Sequence, residues 1–145
     1  MAVTTRSAST VWTGDLASGS GATTFETSGL GTFPVTWRAR TEEAESKTSP
    51  EELIAAAHAS CFSMSLSNIL KQAGHVAEKL ETTVEVDFDT TDGAKISGIR
   101  LTLKATIPGL DVTEFQKLAN AAKEGCPVSV ALAAVPSITL DAHLN

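Results

Sequence analysis

Cys61 and Cys126 are the only thiols in the chain and lie far apart in sequence, so they form no C-x-x-C dithiol. The thiolate is the reactive form of cysteine, and its surroundings set how readily it forms. Cys126, in GCPVS, falls at a helix start, where backbone N–H groups and the helix dipole favour the anion. Cys61, in SPEELIAAAHASCFSM, sits well inside a helix, beyond reach of that dipole, where burial raises a thiol's pKa. An ionised Cys61 therefore needs a nearby cation. Arg38 and Arg40 in FPVTWRAR are the candidates, and Glu51 in the first helical turn is a carboxylate suited to hold a buried arginine. Each residue also has a plainer role: a buried small side chain for either cysteine, a first-turn acid for Glu51, a solvated strand residue for each arginine.

Glu51 and Cys61 share one helix and are separated along it by about 15 Å, at about 1.5 Å per residue. One subunit's Glu51 therefore cannot flank its own Cys61. If both serve one site, two copies of the helix pack antiparallel across a homodimer interface, and the alanine and serine side chains of its first half permit that approach.

His58 and Cys61, at i and i+3, share a helix face and would start a metal site if Cys126, His75 or His143 completed it. The ordinary alternative is a core or interface histidine bonded locally. No GxSxG or HExxH occurs, and the glycines of GDLASGSGA precede no helix, so they belong to a hairpin and not to a phosphate loop.

The elements that must position these residues are legible from patterning. Ser9 to Asp15 and Thr23 to Ser28 read as strands around the ASGSGA turn, and Phe33 to Arg40 alternates with the period of a third, giving an antiparallel meander. Thr41 to Thr48 reads as an exposed loop. The next helix has Ser49 as N-cap, Pro50 at the first helical position, a capping box through Glu52, and Gly74 as the stop after Ala73. Leu80 to Asp89 and Lys95 to Pro108 alternate around Asp92-Gly93 as a hairpin, with Val84, Val86 and Phe88 on one face. Asp111 and Glu114 open a helix from Val112 to Glu124 that Gly125 closes, VSVALAAV continues as a short helix, and Ser137 to Leu144 is a last strand. The order predicts a single α+β domain over 1–145, with antiparallel sheets packed around a long buried central helix.

Composition excludes several classes. A net charge of −6, with no lysine or arginine cluster, makes a nucleic-acid partner a poor fit. The first ten residues carry only Arg6 and lack a signal peptide's apolar run. The apolar stretch from Leu53 to Leu70 is interrupted by His58, Asn68 and several serines, so a membrane partner is not expected and the cytoplasm is the predicted location.

The P-E-E-L-I-x-A-A-H-A-x-C-F-S-M pattern, the later G-C-P-V-S and the early Trp12-x-Gly14-Asp15 together resemble the OsmC/Ohr family of thiol peroxidases, OsmC branch, over nearly the whole chain. The resemblance implies an intertwined homodimer with sites at its interface. Cys61 would be the peroxidatic residue and Cys126 the resolving one, with Glu51 and an arginine, Arg38 by its strand context or else Arg40, stabilising the thiolate. It implies reduction of organic hydroperoxides, and more weakly hydrogen peroxide, through a Cys61 sulfenic acid and a Cys61–Cys126 disulfide reopened by a dithiol, possibly of lipoyl type. No cofactor or metal is implied. Leu53, Phe62, Met64 and Phe33 are candidate pocket walls. The competing readings are a dimer that binds a small hydrophobe without catalysis, and the His/Cys metal site.

Overall fold

Gly21 exists because Trp12 lies across it. The two residues are partners in the first hairpin, and a Cβ on Gly21 would stand 2.7 Å from the Trp12 ring and 2.9 Å from a Val35 methyl. The computed structural model describes residues 2–145 and divides them into two compact units, one ending at Pro50 and one beginning at Glu51.

In the first unit, β1 (Ser9–Thr13), β2 (Ser20–Thr24) and β3 (Thr32–Val35) form the expected antiparallel meander in that order. Its second strand starts earlier in the glycine-rich stretch than alternation suggests. Asp15 closes the turn by accepting from the Ser18 backbone and hydroxyl, and its carbonyl accepts from Gly19 N, so pairing resumes at Ser20. The third strand is shorter than expected. Thr36 caps a helical turn, its hydroxyl accepting from Ala39 N at 3.0 Å, and residues Trp37–Thr41 form α1 where the sequence alternation predicts strand.

All of α2 (Pro50–Gln72) after its first residue belongs to the second unit, and the helix stops at Gly74 as predicted: Gly74 has φ 85°, and His75 N closes back onto Leu70 O at 2.8 Å. Then come β4 (Lys79–Asp89), β5 (Lys95–Thr106), α3 (Val112–Gly125), α4 (Pro127–Ala131) and β6 (Ile138–Leu144). The α3 cap is the predicted one, Asp111 accepting from Glu114 N at 2.9 Å. α3 ends at Gly125, as expected, but with Gly125 as its last helical residue and Cys126 as its C-cap. Cys126 joins α3 to α4, its N–H bonded to Ala122 O and its carbonyl accepting from Val130 N.

Strand order is β4-β5-β6, with β4 antiparallel to β5 as predicted but β6 parallel to it. Two helices lie between β5 and β6, enough chain to cross over and return in the same direction. Registers align four rows on one face: Val86–Ile99–Ile138, Val84–Leu101–Leu140, Thr82–Leu103–Ala142 and Leu80–Ala105–Leu144. A bulge follows, with the register shifting between Asp87 and Phe88, so the even phase of β4 is not carried evenly into Phe88. The opposite face is polar, where Arg100 grips Asp87 at 2.6 and 3.0 Å and reaches Glu85.

Against the apolar rows stand Phe115, Ala119 and Ala122 of α3 and Phe62, Leu66 and Leu70 of α2, joined in one buried cluster. On α2 these follow His58 at every fourth residue, one narrow stripe. By length and composition alone the helix is long and apolar enough to cross a membrane. Commitment of that stripe to the sheet is instead the packing of a core helix. Its other side, Ala56, Ala57, Ser60 and Met64, is exposed within a single chain.

Candidate active site

Helix phase decides what α2 offers to chemistry. His58 lies on the fully buried stripe, and Cys61, one turn later, is half-buried at its edge. The segment facing it is the α3–α4 joint, where Cys126 must be non-helical to leave one helix and enter the other, with φ −57° and ψ 127°. Pro127 fits the first position of α4, since it has no N–H to leave unpaired. The joint brings the Cys126 sulfur to 2.9 Å from that of Cys61, both as free thiols and Cys126 completely buried.

At that separation the two thiols are hydrogen-bonded to each other. Burial pushes the Cys61 thiol up, and the adjacent Cys126 pushes it further. Burial also opposes ionisation of Cys126, but the Cys61 S–H and the backbone and hydroxyl of Ser129 outweigh it and draw Cys126 below the ordinary thiol value. No first-turn group closes a full capping hydrogen bond to the sulfur, so these donors act on it by proximity. Of the two thiols, Cys126 is therefore the first to ionise, and Cys61 S–H then donates to it.

Beside the sulfurs, His58 Nε2 and Ser129 Oγ lie 2.7 Å apart, both residues buried. His58 Nδ1 has no hydrogen-bond partner among the described residues, and burial lowers the pKa of the ring, which is therefore neutral at pH 7. Cys61 reaches solvent through a shallow open pocket of about 420 Å³ lined by Ser60, Cys61, Met64, Ser65, Asn68 and Pro127.

The other candidates distribute as follows. Glu51 is buried at the start of α2, about 15 Å up the helix from Cys61 by the rise per residue. In the first unit, Arg38 is on α1 and not on a strand, its Nε 3.0 Å from Glu42 and its NH2 3.8 Å from Glu45, all exposed. Arg40 is half-buried with its guanidinium carbon 6.0 Å from the Trp37 ring centre. Of the expected pocket walls, Met64 lines the opening, Phe62 is core, and Phe33 packs on Phe25 at 5.3 Å. The metal reading gains nothing: among the described residues no group of three His, Cys, Asp or Glu gathers, and His58 is engaged by Ser129. Ser129 and Ser65 were not singled out by residue type, although Ser129 ends the GCPVS stretch and its spacing of three from Cys126 was the available signal.

The sequence pattern of the OsmC-like protein family matches residues 42–141. Peroxiredoxin OsmC of Escherichia coli is 42% identical over 135 residues, covering 92% of each chain. This chain belongs to the OsmC-like family. Among solved structures, the organic hydroperoxide resistance protein OhrB of Bacillus subtilis has 29% identity and a TM-score of 0.64 over 96% of this OsmC-like chain and 98% of its own. An organic hydroperoxide resistance protein of Elizabethkingia anophelis shares the OsmC-like fold with a TM-score of 0.75 over 99% of both chains, at 24% identity.

Proposed function

We propose that this OsmC-like protein is a cysteine-based peroxidase that reduces organic hydroperoxides and, more weakly, hydrogen peroxide. The observation that carries the reading is the 2.9 Å approach of Cys126 to Cys61 in a chain 42% identical to a peroxiredoxin OsmC. The hydroperoxide enters by the open pocket at Cys61. The Cys61 thiolate attacks the terminal peroxide oxygen, an S–O bond forms as the O–O bond breaks, and the alkoxide leaves and takes a proton to become the alcohol. The resulting sulfenic acid is attacked by the Cys126 thiolate: S–S forms, S–O breaks, and hydroxide leaves as water after protonation. A dithiol reductant, of lipoyl type in this proposal, reopens the disulfide by two exchanges and is itself oxidised to a disulfide.

Because burial and Cys126 both oppose ionisation of Cys61, a cation must reverse the order of the two thiols before attack. Arg38 and Arg40 are the proposed sources. Arg38 is committed to exposed carboxylates, so half-buried Arg40 is the stronger of the two, with buried Glu51 as the anion that holds the guanidinium. In this reading Glu51 serves a second copy's sulfur, which the length of helix between Glu51 and Cys61 supports, and the exposed Ala56, Ala57, Ser60 and Met64 face of α2 is the proposed homodimer contact. The protein works in the cytoplasm, where reductants keep the resting thiols free.

The deciding experiment titrates reduced protein with cumene hydroperoxide and counts free thiols. Loss of both thiols per peroxide, with Cys126→Ser trapping a sulfenic acid at Cys61, is the expected result. Unchanged thiol counts would remove the peroxidase.

A further inference from the structure

The sulfurs are not the only link between α2 and the α3–α4 joint. His58 and Cys61 are three residues apart on α2, Cys126 and Ser129 are three apart across the start of α4, and the pairs meet in matched order: His58 Nε2 to Ser129 Oγ at 2.7 Å, Cys61 to Cys126 at 2.9 Å. His58 has no exposed surface and Ser129 is 7% exposed, so the hydrogen bond is shielded from water. An apolar side chain at position 58 would simply extend the stripe of Phe62, Leu66 and Leu70. Histidine there leaves Nδ1 buried without a partner, a cost that a purely space-filling position avoids.

We propose that His58 is a positioning residue that acts through Ser129 to hold Cys126 opposite Cys61, and so sets how fast and how completely the disulfide closes. The proposal rests on the peroxidase reading for its role in turnover. Neutral His58 carries its hydrogen on Nε2 and donates to Ser129 Oγ, which frees the serine hydrogen for the neighbouring Cys126 sulfur. That tautomer leaves Nδ1 as a bare lone pair, in place of a buried N–H with no acceptor. During closure the Cys126 thiolate displaces hydroxide from the Cys61 sulfenic acid, the hydroxide takes a proton to become water, and His58 keeps its own hydrogen throughout. Backbone bonds to Ala122 and Val130 fix Cys126 within the joint, while the His58–Ser129 bond ties the first turn of α4 across to α2; without that tie the Cys126 sulfur is held less closely opposite Cys61, and the sulfenic acid waits long enough to meet a second peroxide.

The test compares wild type, Ser129→Ala, His58→Gln and Ser129→Thr. After one equivalent of cumene hydroperoxide, the lifetime of the trappable sulfenic acid should lengthen about tenfold in Ser129→Ala and His58→Gln, the scale of one lost buried hydrogen bond. Sulfinic acid should accumulate with excess peroxide. Ser129→Thr, which retains the hydroxyl, should restore wild-type closure. Independently, titration of the disulfide with dithiothreitol, which involves no peroxide, should show an about tenfold weaker tendency to close in the same two variants. If wild-type thiols ignore peroxide, the peroxidase reading falls while the dithiothreitol titration still judges the clamp. Equal midpoints and lifetimes in wild type and Ser129→Ala, or no recovery in Ser129→Thr, would overturn it.

Discussion

Cys126 and Cys61, separated by 65 residues, present their sulfurs to each other at 2.9 Å while both remain thiols. Each consequently sets the other's ionisation, because the S–H of one supports a thiolate on the other while a thiolate already formed on one opposes a second beside it.

Removing Cys126 should therefore lower the Cys61 pKa. Burial still opposes the anion, but the bonded and charged neighbour that adds to it is gone. Removing Cys61 should act in the opposite direction on Cys126, whose S–H donor is lost. Thiolate ultraviolet absorbance followed against pH in Cys126→Ala and Cys61→Ala measures both, and shifts of the same sign in the two variants would contradict the coupling.

The arginine assignment gives a second outcome. In a Cys126→Ala background, Arg40→Ala should raise the Cys61 pKa by about 1 to 3, the scale of one nearby opposite charge. Arg38→Ala, whose guanidinium pairs with exposed Glu42, should change it little. The reverse ranking would return the role to Arg38.

Buried His58 predicts a pH dependence of stability. Its pKa is lowered from 6.5 in the fold by burial, so below that value the unfolded chain binds a proton that the folded chain refuses. The contribution is complete above pH 6.5 and is lost as pH falls through and below it. Asp15, Asp87 and Asp89, all depressed from 3.8 by hydrogen bonds, add a separate loss only below that value. Urea midpoints measured from pH 8 to pH 4.5 should decline in wild type and stay nearly flat in His58→Gln.

The Asp111 cap of α3, the hairpin at Gly93 and the helix stop at Gly74 were legible because each depends on local backbone chemistry that residue type encodes directly. The parallel β6 was not, since direction depends on a crossover and not on alternation. Arg38 was misassigned to a strand because TWRAR alternates, whereas the Thr36 cap starts a helical turn that alternation does not register. At the site, the two cysteines were identifiable by their settings, but Ser129 acquires its importance only when the α3–α4 joint meets α2.

Two glycines test how far such local reading extends. Gly21→Ala should cost about 1–3 kcal/mol, since its Cβ collides with the Trp12 ring and the Val35 methyl in a strand that pairs on both sides. Gly125 closes α3 as its last helical residue, without the positive φ of Gly74, and beyond its own helix and chain neighbours no atom lies within 4 Å of where its Cβ would be. Gly125→Ala should therefore stabilise the protein by up to about 0.5–1 kcal/mol by restricting the unfolded chain, less at a helix end than in its middle. Chemical denaturation midpoints of the two variants should move in opposite directions. Destabilisation by Gly125→Ala would mean that the joint before Cys126 needs a backbone freedom that the helical geometry does not reveal.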